Sequence, residues 1–277
     1  ELVDSNITQA EIFPNSIKNL RIVFKRMLYK TPICPLVFSN TSIISLAFVS
    51  MTESFMQNNK LTFSTYSGKV QSYSSVLKKV VFDDLHNIRL DMSILNVHVF
   101  KHTAFFAFFG HIREIQNDIF ISYKHLKEIQ LEWSKKLMHR GIKWFININK
   151  HIAVNLSNLD QFENSLDRLV QLSLIVRPTS SERLVQEMFP DQDFCLYSEF
   201  PHKQLLIILK LSIEKQDKAT CTYAWLFKYL LINRSDLNLK SIPAISTSIQ
   251  LVSQFNSICN CNWTQMLVNC NKKPNIL

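Results

Sequence analysis

The stretch Ala104–Trp133, AFFAFFGHIREIQNDIFISYKHLKEIQLEW, decides how this chain is read. Ala104–Ile115 is densely apolar and closes on charged residues, as a buried helix does. From Asp118 the residues Ile119, Tyr123, Leu126, Ile129, Trp133 and Leu137 fall three or four apart, the spacing of one helix face. Lys135, Lys136, His139 and Arg140 crowd the end of that helix, where cations suit the dipole, and Gly141 stands where a glycine cap belongs. Two consecutive helices are expected, one apolar and one amphipathic.

Upstream, a helix is expected from Asn15, with Ser16 as its cap and Leu20, Val23, Phe24, Met27 and Leu28 as its apolar stripe. Lys18, Arg21, Lys25 and Arg26 occupy its other face, and the prolines of Thr31–Pro35 stop it. Thr41–Phe55 is apolar and reads as strand or helix, Leu61–Thr65 as a short strand, and Gln71–Val81 as a helix. In Asn87–Phe100, Ile88, Leu90, Met92 and Ile94 alternate with Arg89, Asp91 and Ser93, the period of a half-buried strand. Downstream, Ile142–Ile148 alternates as a strand. Ser157 caps a helix bearing Leu159, Phe162, Leu166, Leu169 and Val170, which runs into an extended exit at Leu174–Pro178. Leu205–Ile213 reads as an apolar helix and Tyr223–Leu231 as an aromatic one. After Pro243 a third carries Ile245, Ile249, Val252, Phe255 and Ile258. Two such helix triplets suggest an internal duplication, although any helix-rich chain yields triplets.

A short apolar helix, an aromatic helix with an early tyrosine and a third helix ending in Leu-x-x-Leu-x-Leu-Ile resembles a winged helix. The stretch quoted above, followed by FENSLDRLVQLSLIVRP at Phe162–Pro178, is similar to the C-terminal winged-helix domain of origin recognition complex subunits and related replication initiators. Tyr123 and Leu126 match in the second helix, and Phe162, Leu166, Leu169, Leu172 and Ile175 in the third. The resemblance covers residues 102–178 and is a hydrophobic pattern, shared with winged helices of transcription factors and of sorting complexes. It implies a third helix packed across the other two and a following strand that begins the wing. That family carries a nucleotide-binding module upstream; no GxxxxGK[ST] occurs in this chain, so the kinship implies its non-ATPase portion or a subunit lacking the module. The expected fold class is α+β and helix-rich. A mixed α/β segment at 1–100 precedes a winged-helix-like unit at 101–180 and a second unit at 181–277, helical or itself winged-helix.

Composition narrows the function. Glycine occurs three times, at Gly68, Gly110 and Gly141, where ordinary usage gives about nineteen. Phosphate-gripping loops and nucleophile elbows depend on glycine, so the enzyme classes they announce are excluded. With 47% hydrophobic and 19% charged residues the chain is globular rather than disordered. Its net charge of +9 favours acidic partners such as nucleic acid, an anionic membrane surface or an acidic protein. The apolar runs Ile43–Met51 and Ala104–Phe109 are far short of the ~20 residues that span hydrocarbon. The start ELVDSNITQAE does not read as a signal peptide, and a first residue other than Met fits a processed product or a piece of something longer.

Six cysteines and five sequons, at Asn6, Asn40, Asn155, Asn233 and Asn262, permit a secreted reading, but a reducing, intracellular and nuclear setting is favoured. Cys259, Cys261 and Cys270 supply three soft ligands where tetrahedral zinc needs four, so structural cysteines are preferred and no metal or cofactor is expected. Asp83, Asp84 and His86 form a compact acid–histidine group that reads as the cap of a turn before a strand. Asp160, Glu163 and Asp167 argue against the third helix of the first unit as a groove reader. Non-specific phosphate contact is assigned instead to Lys18, Arg21, Lys25, Arg26, Lys135, Lys136, Arg140 and Lys143. The expected function is a non-catalytic subunit of a DNA-replication or chromatin complex. It contacts other subunits through winged-helix surfaces and double-stranded DNA through basic helices. The alternatives are a tandem winged-helix scaffold without nucleic acid, or a secreted disulfide-bonded glycoprotein.

Overall fold

Ala104–Trp133 folds as two parallel strands, not as two helices. The computed structural model describes residues 16–23, 38, 41–49, 76–148, 170–175, 188–198, 208–211, 220–232 and 261–271. They belong to two compact units, Glu1–Arg140 and Gly141–Leu277.

In the first unit β1 (Asn19–Val23), β2 (Ser45–Val49), β3 (Lys79–Leu90), β4 (Phe105–Ile115) and β5 (Glu128–Glu132) lie side by side in sequence order, every neighbouring pair parallel. The register does not drift at the strand starts, where Asn19, Ser45, Lys79, Phe105 and Glu128 face one another in turn. The same bonds recur at each entry. Ile44 and Ser45 donate N–H to the Lys18 carbonyl, Lys78 and Lys79 to that of Ile44, Ala104 and Phe105 to that of Lys78, and Lys127 and Glu128 to that of Ala104. The chain therefore advances by one strand per coil, as a solenoid does.

Each coil repeats one apolar spacing. Ile43, Leu46 and Phe48 are buried, as are Leu77, Val80 and Phe82, then Thr103, Phe106 and Phe108, then Leu126, Ile129 and Leu131. Stacking in register turns these positions into columns. Phe48, Phe82 and Phe108 stack with ring centroids 5.2 and 5.3 Å apart and planes 20° and 11° from parallel. Burying each phenylalanine contributes about 1.5–3 kcal/mol, and no coil has a core without its neighbours. Thr103 is the polar member of its column, its hydroxyl 3.5 Å from the Leu77 carbonyl.

The connections carry the remaining core. After β3, Asp91 accepts the Ser93 N–H, and Asn96 accepts that of Val99 at the start of α1 (Val97–Phe100). A 3-10 turn at Ile119–Ser122 leads from β4 towards β5. Buried Tyr123 donates its hydroxyl to the Leu95 carbonyl and packs edge-on to Phe106, with ring centroids 5.2 Å apart, tying this connection to the one before it. The first unit closes on α2 (Lys135–His139).

The second unit holds α3 (Lys143–Asn147), β6 (Gln171–Ile175), α4 (Phe194–Tyr197), β7 (Ile208–Leu211), α5 (Cys221–Ile232) and α6 (Trp263–Asn271). β6 and β7 are parallel and in register from Gln171↔Ile208 to Leu174↔Leu211. Disulfides join Cys195 to Cys270 and Cys221 to Cys261, tying α4 to α6 and the start of α5 to a residue two positions before α6. Thr220 and Asp191 cap α5: the Thr220 hydroxyl oxygen accepts the Tyr223 N–H, and the Asp191 carboxylate accepts that of Thr222. Trp225 packs against Phe194 and Trp263, and the Trp263 indole donates to the Cys221 carbonyl at 3.2 Å.

These strands overturn the helix-rich, winged-helix class. Ala104–Ile115 is strand because its six-residue apolar run is aromatic, and a run of that length suits a buried strand as well as a helix. The helix expected from Asp118 to Arg140 is a 3-10 turn, β5 and the short α2. Ile129 and Leu131 sit two apart as well as on the helical stripe, and pairing with β4 favours the strand. The helix expected from Asn15 is β1 over Asn19–Val23, that of Gln71–Val81 enters β3, and that of Leu205–Ile213 contains β7. The strand expected at Ile142–Ile148 is α3, and the one expected over Asn87–Phe100 keeps only its first residues in β3 before α1. Tyr223–Leu231 is helical as expected, within α5. Leu61–Thr65, the helix after Ser157 and the one after Pro243 lie outside the described residues.

Candidate functional site

In a strand the residues between core positions point to the opposite face. In the first unit these are Asn19 and Arg21 on β1, Ser45 and Ala47 on β2, Lys79, Val81 and Asp83 on β3, Phe105, Ala107 and Phe109 on β4, and Glu128, Gln130 and Glu132 on β5. Asn19, Arg21 and Lys79 are exposed. Ser45, Ala47, Val81, Asp83, Phe105, Phe109, Glu128, Gln130 and Glu132 are partly exposed, while the core positions of β2–β5 are sealed. The sheet therefore has one dry face and one face open to solvent.

That open face has an apolar middle and a charged border of both signs. Val81 and Phe105 are the accessible apolar residues of its centre, with Ala107 buried between them, and Lys79 holds its ammonium 5.1 Å from the centre of the Phe105 ring, within cation–π range. On β5 the Gln130 amide donates to Glu128 at 3.0 Å, and Glu132 accepts the Gly110 backbone N–H at 2.6 Å. These bonds fix two carboxylates on β5, while Arg21 lies on the β1 edge and Lys79 at the start of the central β3.

Beyond Phe82 the two long strands leave the common register. β3 bulges, with Asp84 at φ 55° and Asn87 at φ 58°, so that Leu85 pairs with Gly110 and His86 with His111. Gly110 is at φ 104°, and a β-carbon there would lie 2.5 Å from the Leu85 nitrogen and oxygen. Asp83, Asp84 and His86 thus sit inside a strand at a bulge, not in a turn before one. Asp83 accepts the Asp84 N–H at 3.0 Å, and Asp84 lies 3.0 Å from His86 Nε2. Arg89 and Glu114 form an exposed pair at 3.7 Å. Near the β4 entry, the His102 and His125 rings lie with centroids 5.2 Å apart and planes tilted by 37°; lost hydration, then the charges of Lys101 and His125, hold the His102 imidazole below its ordinary range. Among the described residues no three His, Cys, Asp or Glu side chains converge as metal ligands.

The basic residues assigned to phosphate contact in two groups, one on the expected first helix and one around Gly141, lie, where described, on other elements than the long helices expected for them. Lys18 and Arg21 are exposed at the start of and along β1, and Lys135, Lys136 and Arg140 are exposed on and just after α2. Lys143 is exposed at the start of α3 in the second unit, and Lys25 and Arg26 lie outside the described residues. Lys135 and Lys136 open α2 rather than close a long helix, while Gly141 at φ 126° follows the last turn. Cys261 and Cys270, considered above as metal ligands, are held in disulfides. Among the described residues no helix is long and apolar enough to cross a membrane.

Sequence reasoning missed the open-face residues Lys79, Val81, Phe105, Glu128 and Gln130. The signal that finds them is the recurring apolar spacing of 43, 46 and 48, then 77, 80 and 82, then 126, 129 and 131, whose intervening positions are the outward ones. The chain matches no family model, and neither a curated protein nor a solved structure is significantly similar to it.

Proposed function

We propose that the chain is a non-catalytic recognition protein of an oxidising compartment, secreted or luminal, and that the open sheet face of its first unit binds a protein partner. The in-register stack of outward side chains carries this reading. An apolar middle (Val81 and Phe105) bordered by Arg21, Lys79, Asp83, Glu128 and Glu132 has the make-up of a protein interface, apolar in the centre and charged at the rim. Coils that each add one parallel strand, with apolar residues spaced as in leucine-rich repeats, use their stacked surface for binding. A phosphate-binding surface would carry one sign, whereas three acids share this face. The two disulfides support the compartment, since such bonds persist where thiols are not kept reduced.

The replication or chromatin role drew on winged-helix surfaces, and a sheet stands in their place; contact with other proteins is what carries over from it. The test uses the full chain as bait against secreted and cell-surface proteins. Val81→Arg and Gln130→Arg alter outward positions and leave the core columns intact. Each is expected to weaken a captured partner tenfold or more, about 1.4 kcal/mol, while Lys135→Glu leaves it unchanged. Undiminished binding by both face variants overturns the reading. So does binding to random duplex DNA that falls steeply with salt and is abolished by Arg21→Glu.

A further inference from the structure

We infer that Asn262 is an N-glycosylation site, an inference that rests on the secretory reading above. Asn262-Trp263-Thr264 is an acceptor triplet, and both Asn262 and Thr264 are exposed on the surface of the second unit. Asn262 follows Cys261, bonded to Cys221, and stands at the start of α6. Its side-chain oxygen accepts the Gln265 N–H at 3.0 Å, capping the helix. That bond uses only the carbonyl half of the amide. A sugar is joined through the nitrogen half, so cap and glycan coexist on one side chain.

In the transfer, Nδ2 attacks the anomeric carbon of an oligosaccharide carried on a polyprenyl pyrophosphate. The new C–N bond forms as the C–O bond to pyrophosphate breaks. The lipid pyrophosphate departs with the electron pair, and Nδ2 gives up one proton. The side-chain oxygen forms no bond to the sugar and is left able to accept the Gln265 N–H in the folded protein. Around the site Gln265 and Asn269 are exposed and bonded to each other at 3.1 Å, a polar flank on which a glycan displaces no apolar contact.

The experiment is site mapping of the full chain made with a cleavable secretory leader in mammalian cells. Glycan removal by a peptide amidase in heavy-oxygen water should leave a labelled aspartate at position 262. Thr264→Ala, which spares the cap, should abolish the label; Asn262→Gln should do the same, and Thr264→Ser should keep it. Disulfide mapping of the same sample separates the two readings. An unmodified Asn262 in protein whose Cys195–Cys270 and Cys221–Cys261 bonds have formed overturns the glycan and spares the compartment. An unmodified Asn262 with all four cysteines free overturns both.

Discussion

Among the described residues, Gly110 is held to glycine by both its backbone angle and its surroundings. Its φ of 104° suits glycine, and Leu85 occupies the space a β-carbon would need. Gly110→Ala should cost upwards of about 1–3 kcal/mol, because backbone strain and a backbone clash add. Denaturant midpoints of the two proteins will show it, and an unchanged midpoint would mean the bulge relaxes freely. Tyr123, Tyr197 and Tyr223 make a second prediction at this scale. Burial raises all three phenols far above the ordinary 10.0, with the Asp193 charge adding to the effect on Tyr197. A raised folded-state pKa contributes stability that is complete below the unfolded value and is lost as pH rises past it. Unfolding free energy should therefore hold up to about pH 10 and then fall, by as much as roughly 1.4 kcal/mol per pH unit for each tyrosine. Tyr123→Phe should flatten that fall for the first unit. An alkaline profile the same as wild type would show that Tyr123 is not buried.

At the scale of elements, the column Phe48–Phe82–Phe108 is the central feature, since the Phe82 ring stacks on Phe48 of the strand before it and Phe108 of the strand after it. Phe82→Ala opens a cavity touching two coils and should cost about 3–5 kcal/mol, whereas Phe82→Leu should cost much less. Chemical denaturation of both variants decides this, and equal losses would show that the ring itself matters more than the volume it fills. The same column explains what was and was not legible. Ile88, Leu90 and the aromatic helix around Tyr223 announced themselves by period alone. Ala104–Phe109 did not, because an unbroken apolar run has no period, and Leu126–Leu137 satisfied two periods at once. A helix at Asp118–Arg140 would have satisfied its own hydrogen bonds, but Ile129 and Leu131 gain the Phe106 and Phe108 columns only as a strand.

For the whole molecule, the disulfides are the feature with the widest reach. Cys195–Cys270 spans 75 residues and encloses Cys221–Cys261, which spans 40. Removing the outer bond by Cys195→Ser with Cys270→Ser should destabilise the second unit by about 2–5 kcal/mol. Amide exchange in α5 and α6 should rise accordingly, and unchanged protection would assign their stability to Trp225, Phe194 and Trp263 packing instead. Within the first unit, the open face exists because coils of unequal length still bring their strands into one register. Strand starts at 19, 45, 79, 105 and 128 lie at uneven intervals, and unevenness hides a repeat from any search for a fixed period.

Some properties followed from composition. Three glycines argued against a glycine-rich phosphate loop, 47% hydrophobic residues promised a buried core, and the apolar runs were too short for a membrane-spanning helix of the usual length. Local hydrogen bonding and side-chain chemistry suffice for statements of that kind. Strand or helix, the cysteine partners and the shared face of Arg21, Lys79, Val81 and Glu128 lay beyond it. Each depends on contacts between residues tens of positions apart, where a parallel neighbour supplies both the backbone partners and the apolar column. A chain reads out its own periods, but it cannot show which neighbour will complete them.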